Sequence, residues 1–180
     1  MELSLRERAL MIAAGAHRQQ VRKEADTPYI THPVMVAWIL DRYGFDETVI
    51  AAALVHDVLE DTEYPEQRLE EELGTEVMAI VRAVTNDDSL SWKEKKQKYI
   101  QTVAEGGEGA WAVATADKIH NAQSLLLAHE RQGEGLWTHF NASKEDKLWF
   151  EEAMLEMLKA RWAHPLVEKY EGYVGRMRDL

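Results

Sequence analysis

The chain has 180 residues, 46% of them hydrophobic, and a formal net charge of −11. This is a globular composition with enough material for one sizeable core, not a disordered one. The absence of cysteine excludes disulfides and thiolate metal sites, and the acidic balance without a long Lys/Arg run speaks against a nucleic-acid partner held through its phosphates. The longest apolar run, Val49 to Val55, is too short to cross a bilayer, and the N-terminus lacks the apolar stretch of a signal peptide. The expectation is a cytoplasmic protein with no membrane partner; the oligomeric state is not readable.

Leu5, Ala9, Ile12, Ala13 and Ala16 fall on one face and predict a helix over residues 3–20, with His17 at the end of that face. Residues 19–29 have no period and read as a loop. A second helix opens at His32-Pro33 and ends at Gly44. Asp46 is the expected N-cap of a third. Pro65 starts a short acidic helix that stops at Gly74, and residues 75–84 form another. Asn86 to Ser91 is a loop, and Ser91 caps a charged helix over 92–103. Gly106, Gly107 and Gly109 break the chain before a long helix over 110–129. Gly133 and Gly135 end that one. A short aromatic stretch follows at 136–140, then a helix capped by Ser143 and a last one from Pro165. No strand, repeat or linker is apparent. The reading is all-α: one domain over 1–180, a bundle of roughly eight to ten helices.

The stretch Ala52 to Asp61 carries the chemistry. It reads as the C-terminal half of an amphipathic helix, with His56 over Glu60 and Asp57 over Asp61. Three acids and an imidazole there oppose the helix dipole. A bound divalent cation would resolve that conflict, and a solvated helix end is the plainer alternative; these four residues fit both. Asp117 lies between apolar neighbours, where a carboxylate needs a partner. His32, His56, Asp57 and Asp117 together make a set suited to Mn²⁺, Fe²⁺, Co²⁺ or Zn²⁺, with positions left for water and substrate.

His56-Asp57 preceded by His32 and followed by Asp117 resembles the HD-domain phosphohydrolase superfamily. More narrowly, Ala16-His17, Arg22-Lys23, Pro28-Tyr29-Ile30, His32-Pro33, His56-Asp57 with Glu60-Asp61-Thr62, Val84-Thr85 and Ala116-Asp117-Lys118 with His120-Asn121 resemble the hydrolase domain of RelA/SpoT proteins. The resemblance spans residues 5–127, with helices in 136–180 expected to pack on that core. It is similar to the lone small alarmone hydrolases of the stringent response, the metazoan SpoT type among them. It implies a ppGpp 3′-pyrophosphohydrolase in which His32, His56, Asp57 and Asp117 hold one Mn²⁺. Glu60 and Asp61 would activate or orient the water. Arg22, Lys23, Asn121, Lys118 and His17 would meet the nucleotide, with His17 equally able to support the site by a hydrogen bond. Other HD chemistry, on NADPH 2′-phosphate or a nucleoside monophosphate, is the alternative within this class. A metal-binding nucleotide sensor without chemistry is the alternative outside it.

Several features depart from the long enzymes: Gln19, Gln123, and Glu24 to Thr27 in place of a glycine-bearing loop. They lie where substrate would be chosen. His120 is expected to be packed. His129, His139 and His164 are expected to be without function. Asp87-Asp88 and the lysines of 93–98 read as solvated, although one of those lysines could reach a phosphate. The six Trp read as core or helix-contact residues.

Overall fold

A computed structural model describes residues 2–22, 27–139 and 142–180. The described chain forms α1 (Leu5–Ala16), α2 (Thr31–Arg42), α3 (Glu47–Val55), α4 (Val58–Asp61), α5 (Glu66–Leu73), α6 (Thr75–Val84), α7 (Trp92–Glu105) and α8 (Gly107–Gln132). A 3₁₀ turn (Gly133–His139), α9 (Lys144–Arg161) and α10 (Pro165–Arg178) follow. Extended pairing among the described residues is limited to an isolated bridge, Val21 with Pro28. The fold is all-α, and no described helix is long and apolar enough to cross a membrane.

Local signals start and stop most of these helices. Ser4 and Glu7 form a capping box at α1, and Ser91 and Glu94 form one at α7. Asp46 accepts from the Val49 amide at 2.9 Å, and Ser143 accepts from the Asp146 amide at 3.1 Å. Gly74 sits at φ 91 between α5 and α6, a backbone region that favours glycine.

Helix α3 is the centre. Every residue from Val49 to Val55 is buried, and α1, α2, α6 and α8 all pack against it. It is therefore not amphipathic; a helix that is apolar all round belongs inside a core. It also stops earlier than its sequence suggests. The regular helix is interrupted by a turn at His56-Asp57, where His56 keeps helical dihedrals (φ −58, ψ −33) and Asp57 departs to φ −92, ψ −4, before the single turn α4. Helix α8 runs along one side, touching α2, α3, α6, α7 and α10, and α9 bridges α7 to α10.

Helices α1 and α8 differ most from the sequence reading. Helix α1 ends at Ala16, with His17 as its C-cap, rather than at residue 20. Helix α8 covers 107–132, and Gly109 lies inside it instead of breaking it. Its role is close approach: a Cβ at Gly109 would meet Ile80 Cδ1 at 2.7 Å. Gly106 is tighter, because a Cβ there would meet the Cβ atoms of Ala83 and Ala110 at 2.6 and 2.7 Å. Those neighbours have no flexible end to swing away. Gly106→Ala is therefore expected to destabilise the protein by about 1–3 kcal/mol, measured by urea unfolding, with Gly109→Ala costing less because Ile80 can change rotamer.

Candidate active site

The break after α3 turns the opening motif inward. His56 is the C-cap of α3, and its Nδ1–H donates to the Ala53 carbonyl at 2.8 Å. That bond leaves the Nε2 lone pair directed away from the helix. Nε2 is buried and has no hydrogen-bond partner in the protein. Asp57 follows with φ −92 and ψ −4, so its side chain swings to the same side. His32 arrives from the first turn of α2, and Asp117 from the middle of α8.

Four atoms from these residues form a closed ring. His32 Nε2 lies 3.4 Å from Asp57 Oδ2 and 3.1 Å from Asp117 Oδ1. His56 Nε2 lies 3.2 Å from Asp57 Oδ2 and 3.7 Å from Asp117 Oδ1. Nitrogen and oxygen alternate around it. Donors about 2.0–2.2 Å from a shared cation stand about 3.0–3.6 Å from one another; three edges fall in that range and the fourth, at 3.7 Å, is longer, so His32, His56 and Asp57 form the compact candidate set for one ion, with Asp117 Oδ1 beside it. The orphaned Nε2 of His56 is a second reason to place a cation there.

His120 supports this arrangement. Its Nδ1 is 2.7 Å from the Nδ1 of His32. Burial first, and then the nearby His32 and Arg22, push the His120 pKa down to about 4, which leaves it neutral and able to accept. His32 can then donate from Nδ1 and keep Nε2 as a lone pair. The expectation that His120 is merely packed is corrected here: it orients a candidate ligand.

Charge balance without a cation is informative. Burial disfavours the charged form of His56, but Asp57 and Asp117 outweigh it and raise the pKa from 6.5 to about 9. Asp57 and Asp117 move the other way. Burial would raise them, but the two imidazoles hold both below the usual carboxylate range. A group whose folded pKa is raised stabilises the fold fully below its unfolded value and loses that contribution as pH passes its folded value. Metal-stripped protein is thus expected to lose thermal stability between about pH 6.5 and about pH 9. Protein loaded with a divalent ion, whose imidazoles hold no such proton, should not. Melting curves with and without chelator test this.

The ring lies in a cavity of about 180 Å³ that is also lined by Tyr29, Glu60, Asp61, Asn86, Lys96, Lys118 and Asn121. Glu60 does not pair with His56; its Oε2 accepts from the Asn86 amide and side chain at 3.0 and 2.8 Å. Asp61 is reached by the Tyr29 hydroxyl, which lies 2.8 Å from Asp61 Oδ2 and 2.7 Å from Asp57 Oδ2. Burial and then the Asp57 charge raise the Asp61 pKa. Asn121 donates to Asp117 Oδ1 at 2.6 Å and accepts from Arg22 at 3.2 Å. Lys118 is buried beside Asp117. His17 is buried but set back: its Nδ1 meets Gln20 Oε1 at 2.7 Å, and its ring packs on Tyr29. Lys23 lies outside the described residues.

Tyr29 and Asn86 line the cavity without a role assigned from sequence. Tyr29 bridges Asp57 and Asp61; its place in Pro28-Tyr29-Ile30 was a usable signal. Asn86 fixes Glu60 and carried no signal beyond following Val84-Thr85. Lys96 was read with its neighbours as solvated, and that is corrected. It turns into the cavity, bonds Asn86 Oδ1 at 3.1 Å, and burial followed by the Lys118 charge lowers its pKa to about 8. Asp87 and Asp88 pair with Lys98 and Lys95 outside the cavity.

Comparison with known proteins places this geometry. The HD domain family model matches residues 9–146. The guanosine-3′,5′-bis(diphosphate) 3′-pyrophosphohydrolase MESH1 of Drosophila melanogaster is 40% identical over 121 residues, which is 66% of this chain and 68% of that one. The Homo sapiens protein of the same name is 40% identical over 116 residues, 63% of this chain and 65% of its own. The long Haemophilus influenzae 3′-pyrophosphohydrolase is 36% identical over 121 residues, 64% of this chain but 18% of its own. Among solved structures, one described as a metazoan ortholog of SpoT that hydrolyses ppGpp superposes with a TM-score of 0.81 at 30% identity, covering 99% of this chain and 97% of that one. Because the family match takes in all four ring residues and most of the chain, this protein belongs to the HD domain family.

Proposed function

We propose that this protein is a metal-dependent phosphohydrolase that removes the 3′-diphosphate of guanosine tetraphosphate, with one Mn²⁺ held by His32, His56, Asp57 and Asp117. The observation that carries this reading is the closed ring of two imidazole nitrogens and two carboxylate oxygens, with Glu60 and Asp61 on the next turn. The names of the relatives at about 40% identity supply the substrate. When bound, the ion supplies a Lewis acid for a phosphoryl oxygen and lowers the pKa of a water.

The chain's own residues do the rest. Asp61, its carboxyl raised toward neutrality, takes the proton of the attacking water. Glu60, clamped by Asn86, orients that water. Tyr29 fixes Asp61 relative to Asp57. Lys96 and Lys118 offset negative charge on the phosphoryl group as it is attacked. Arg22 and Asn121, hydrogen-bonded to each other, face the nucleotide. No large basic surface is needed, because a few cations in one cleft suffice for a small substrate.

The deciding experiment is a panel of nucleotides offered to manganese-loaded protein. Pyrophosphate release from guanosine tetraphosphate, with orthophosphate release from NADPH and nucleoside monophosphates at least about tenfold slower in kcat/KM, is the expected result. Turnover of NADPH or a monophosphate alone would keep the hydrolase and replace the substrate. Metal binding without any turnover would leave a nucleotide sensor.

A further inference from the structure

The turn that bears Asp61 is held from outside. Helix α4 is a single turn, Val58–Asp61, and so short a helix leaves its last carbonyls without partners in its own backbone. The Val58 carbonyl accepts from the Thr62 hydroxyl at 2.7 Å. The Asp61 carbonyl accepts from Gln20 Nε2 at 2.6 Å, a side chain 41 positions away in the sequence. Gln20 also reaches the other side of the same carboxylate. Its backbone carbonyl accepts from the Tyr29 amide at 2.9 Å, and the Tyr29 hydroxyl donates to Asp61 Oδ2. One residue thus ties down both the turn that carries Asp61 and the loop residue that orients its side chain.

The Gln20 amide is fixed in one orientation. A carbonyl only accepts, so Gln20 must present its NH₂ group to Asp61, and its Oε1 then faces His17 Nδ1 at 2.7 Å. His17 Nδ1 therefore carries the hydrogen and donates it. The other ring nitrogen, Nε2, is buried and has no hydrogen-bond partner among the described residues. His17 is 1% exposed, and its ring packs on Tyr29 with the centroids 4.8 Å apart. Buried this far, it offers no atom to a nucleotide, and its one hydrogen bond among the described residues runs to Gln20. Its effect on the site therefore passes through Gln20.

We propose that His17 and Gln20 are positioning residues that brace the α4 turn and hold the Asp61 carboxylate where it meets the attacking water. The proposal rests on the hydrolase reading, in which Asp61 takes the proton of that water, and it names what keeps Asp61 in place. A four-residue helix has too few backbone bonds to fix its own direction, so an outside donor on its last carbonyl has a large share in setting it. A misplacement of about 1 Å can cost on the order of 10²-fold in rate. Among the described residues, neither His17 nor Gln20 bonds to His32, His56, Asp57 or Asp117. Loss of the brace should therefore slow the reaction and leave the metal set intact.

Gln20→Glu isolates the donated bond. The new carboxylate still accepts from His17 but sets an oxygen against the Asp61 carbonyl. In the manganese-loaded protein, kcat is expected to fall about 10–100-fold with KM within about threefold and metal content unchanged. Gln20→Leu should show the same loss. His17→Leu should lower kcat about tenfold, and His17→Asn, whose amide N–H stands near the place of Nδ1, should recover most of that loss. In an Asp61→Ala background, Gln20→Leu should cost less than about twofold, because the carboxylate it positions is already gone. Hydrogen exchange reads the brace without turnover: the Asp61 amide, bonded to the Asp57 carbonyl, should exchange at least about tenfold faster in Gln20→Leu, with α8 unchanged. Unchanged kcat in both Gln20 variants, or a full further loss in the Asp61→Ala background, would overturn the proposal. A raised KM with unchanged kcat in His17→Leu would overturn it for His17 and make that residue a substrate contact. Faster exchange at Asp61 in a protein that hydrolyses no nucleotide would keep the brace and overturn the hydrolase reading instead.

Discussion

Asp57→Ala is expected to give a folded protein that no longer retains a divalent ion and turns over substrate more than about 10²-fold more slowly. One oxygen, Asp57 Oδ2, forms two of the four edges of the ring, at 3.4 Å to His32 and 3.2 Å to His56. Removing it opens the ring on one side. Residues that merely orient a ligand typically cost about 10–100-fold when lost, and a direct ligand should cost more. The fold should persist, because Asp57 makes no side-chain cap to α4 and Tyr29 keeps Asp61 as a partner. Metal content by elemental analysis, circular dichroism and initial rates on one preparation give the answer. Global unfolding of the variant would make Asp57 structural; full metal content would remove it from the ring.

The second large effect separates Asp61 from Glu60. Asp61→Ala should keep the metal and lose about 10²–10⁴ in rate, the usual worth of a general base. Glu60→Ala should also keep the metal but lose about tenfold or less, since its Oε2 is already committed to Asn86 and its task is orientation. The pH profile supplies an independent readout. A base works deprotonated, so the rate should fall on the acid side as pH drops through the Asp61 pKa, which lies above the ordinary value of 3.8. The Tyr29 hydroxyl lowers that pKa by donating to the carboxylate, so Tyr29→Phe should move the acid limb upward. Equal losses in Glu60→Ala and Asp61→Ala, with an acid limb unmoved in Tyr29→Phe, would assign the base elsewhere.

Features governed by a few neighbouring residues were legible in the chain itself. Ser91 with Glu94, Asp46 and Ser143 announce helix starts, Pro65 and Gly74 bracket α5, and the apolar spacing of residues 75–84 matches α6. These signals act within one turn of backbone, so no distant contact is needed to read them. The ring residues were also nameable in advance, because histidine and aspartate in a matching motif carry their chemistry with them.

What the tertiary structure alone decided concerns direction. The helical spacing in Ala52–Asp61 implied one continuous helix; α3 is instead buried on every side and interrupted at Asp57, and His56 and Asp57 meet His32 of α2 while His56 lies near Asp117 of α8. Lys96 stands among five other charged or polar residues of 93–98, and nothing in its neighbours distinguishes it. It lies in the cleft because α7 packs against α8 and α9. Gly109 reads as a breaker by composition, yet Ile80 occupies the space its side chain would need. Glu151 and Tyr170 meet only because α9 and α10 fold back on each other. Composition, caps and the motif residues were fixed by local chemistry; which side chains share a cavity depended on how distant helices stack, since packing forces act across space and leave no spacing in the chain to read.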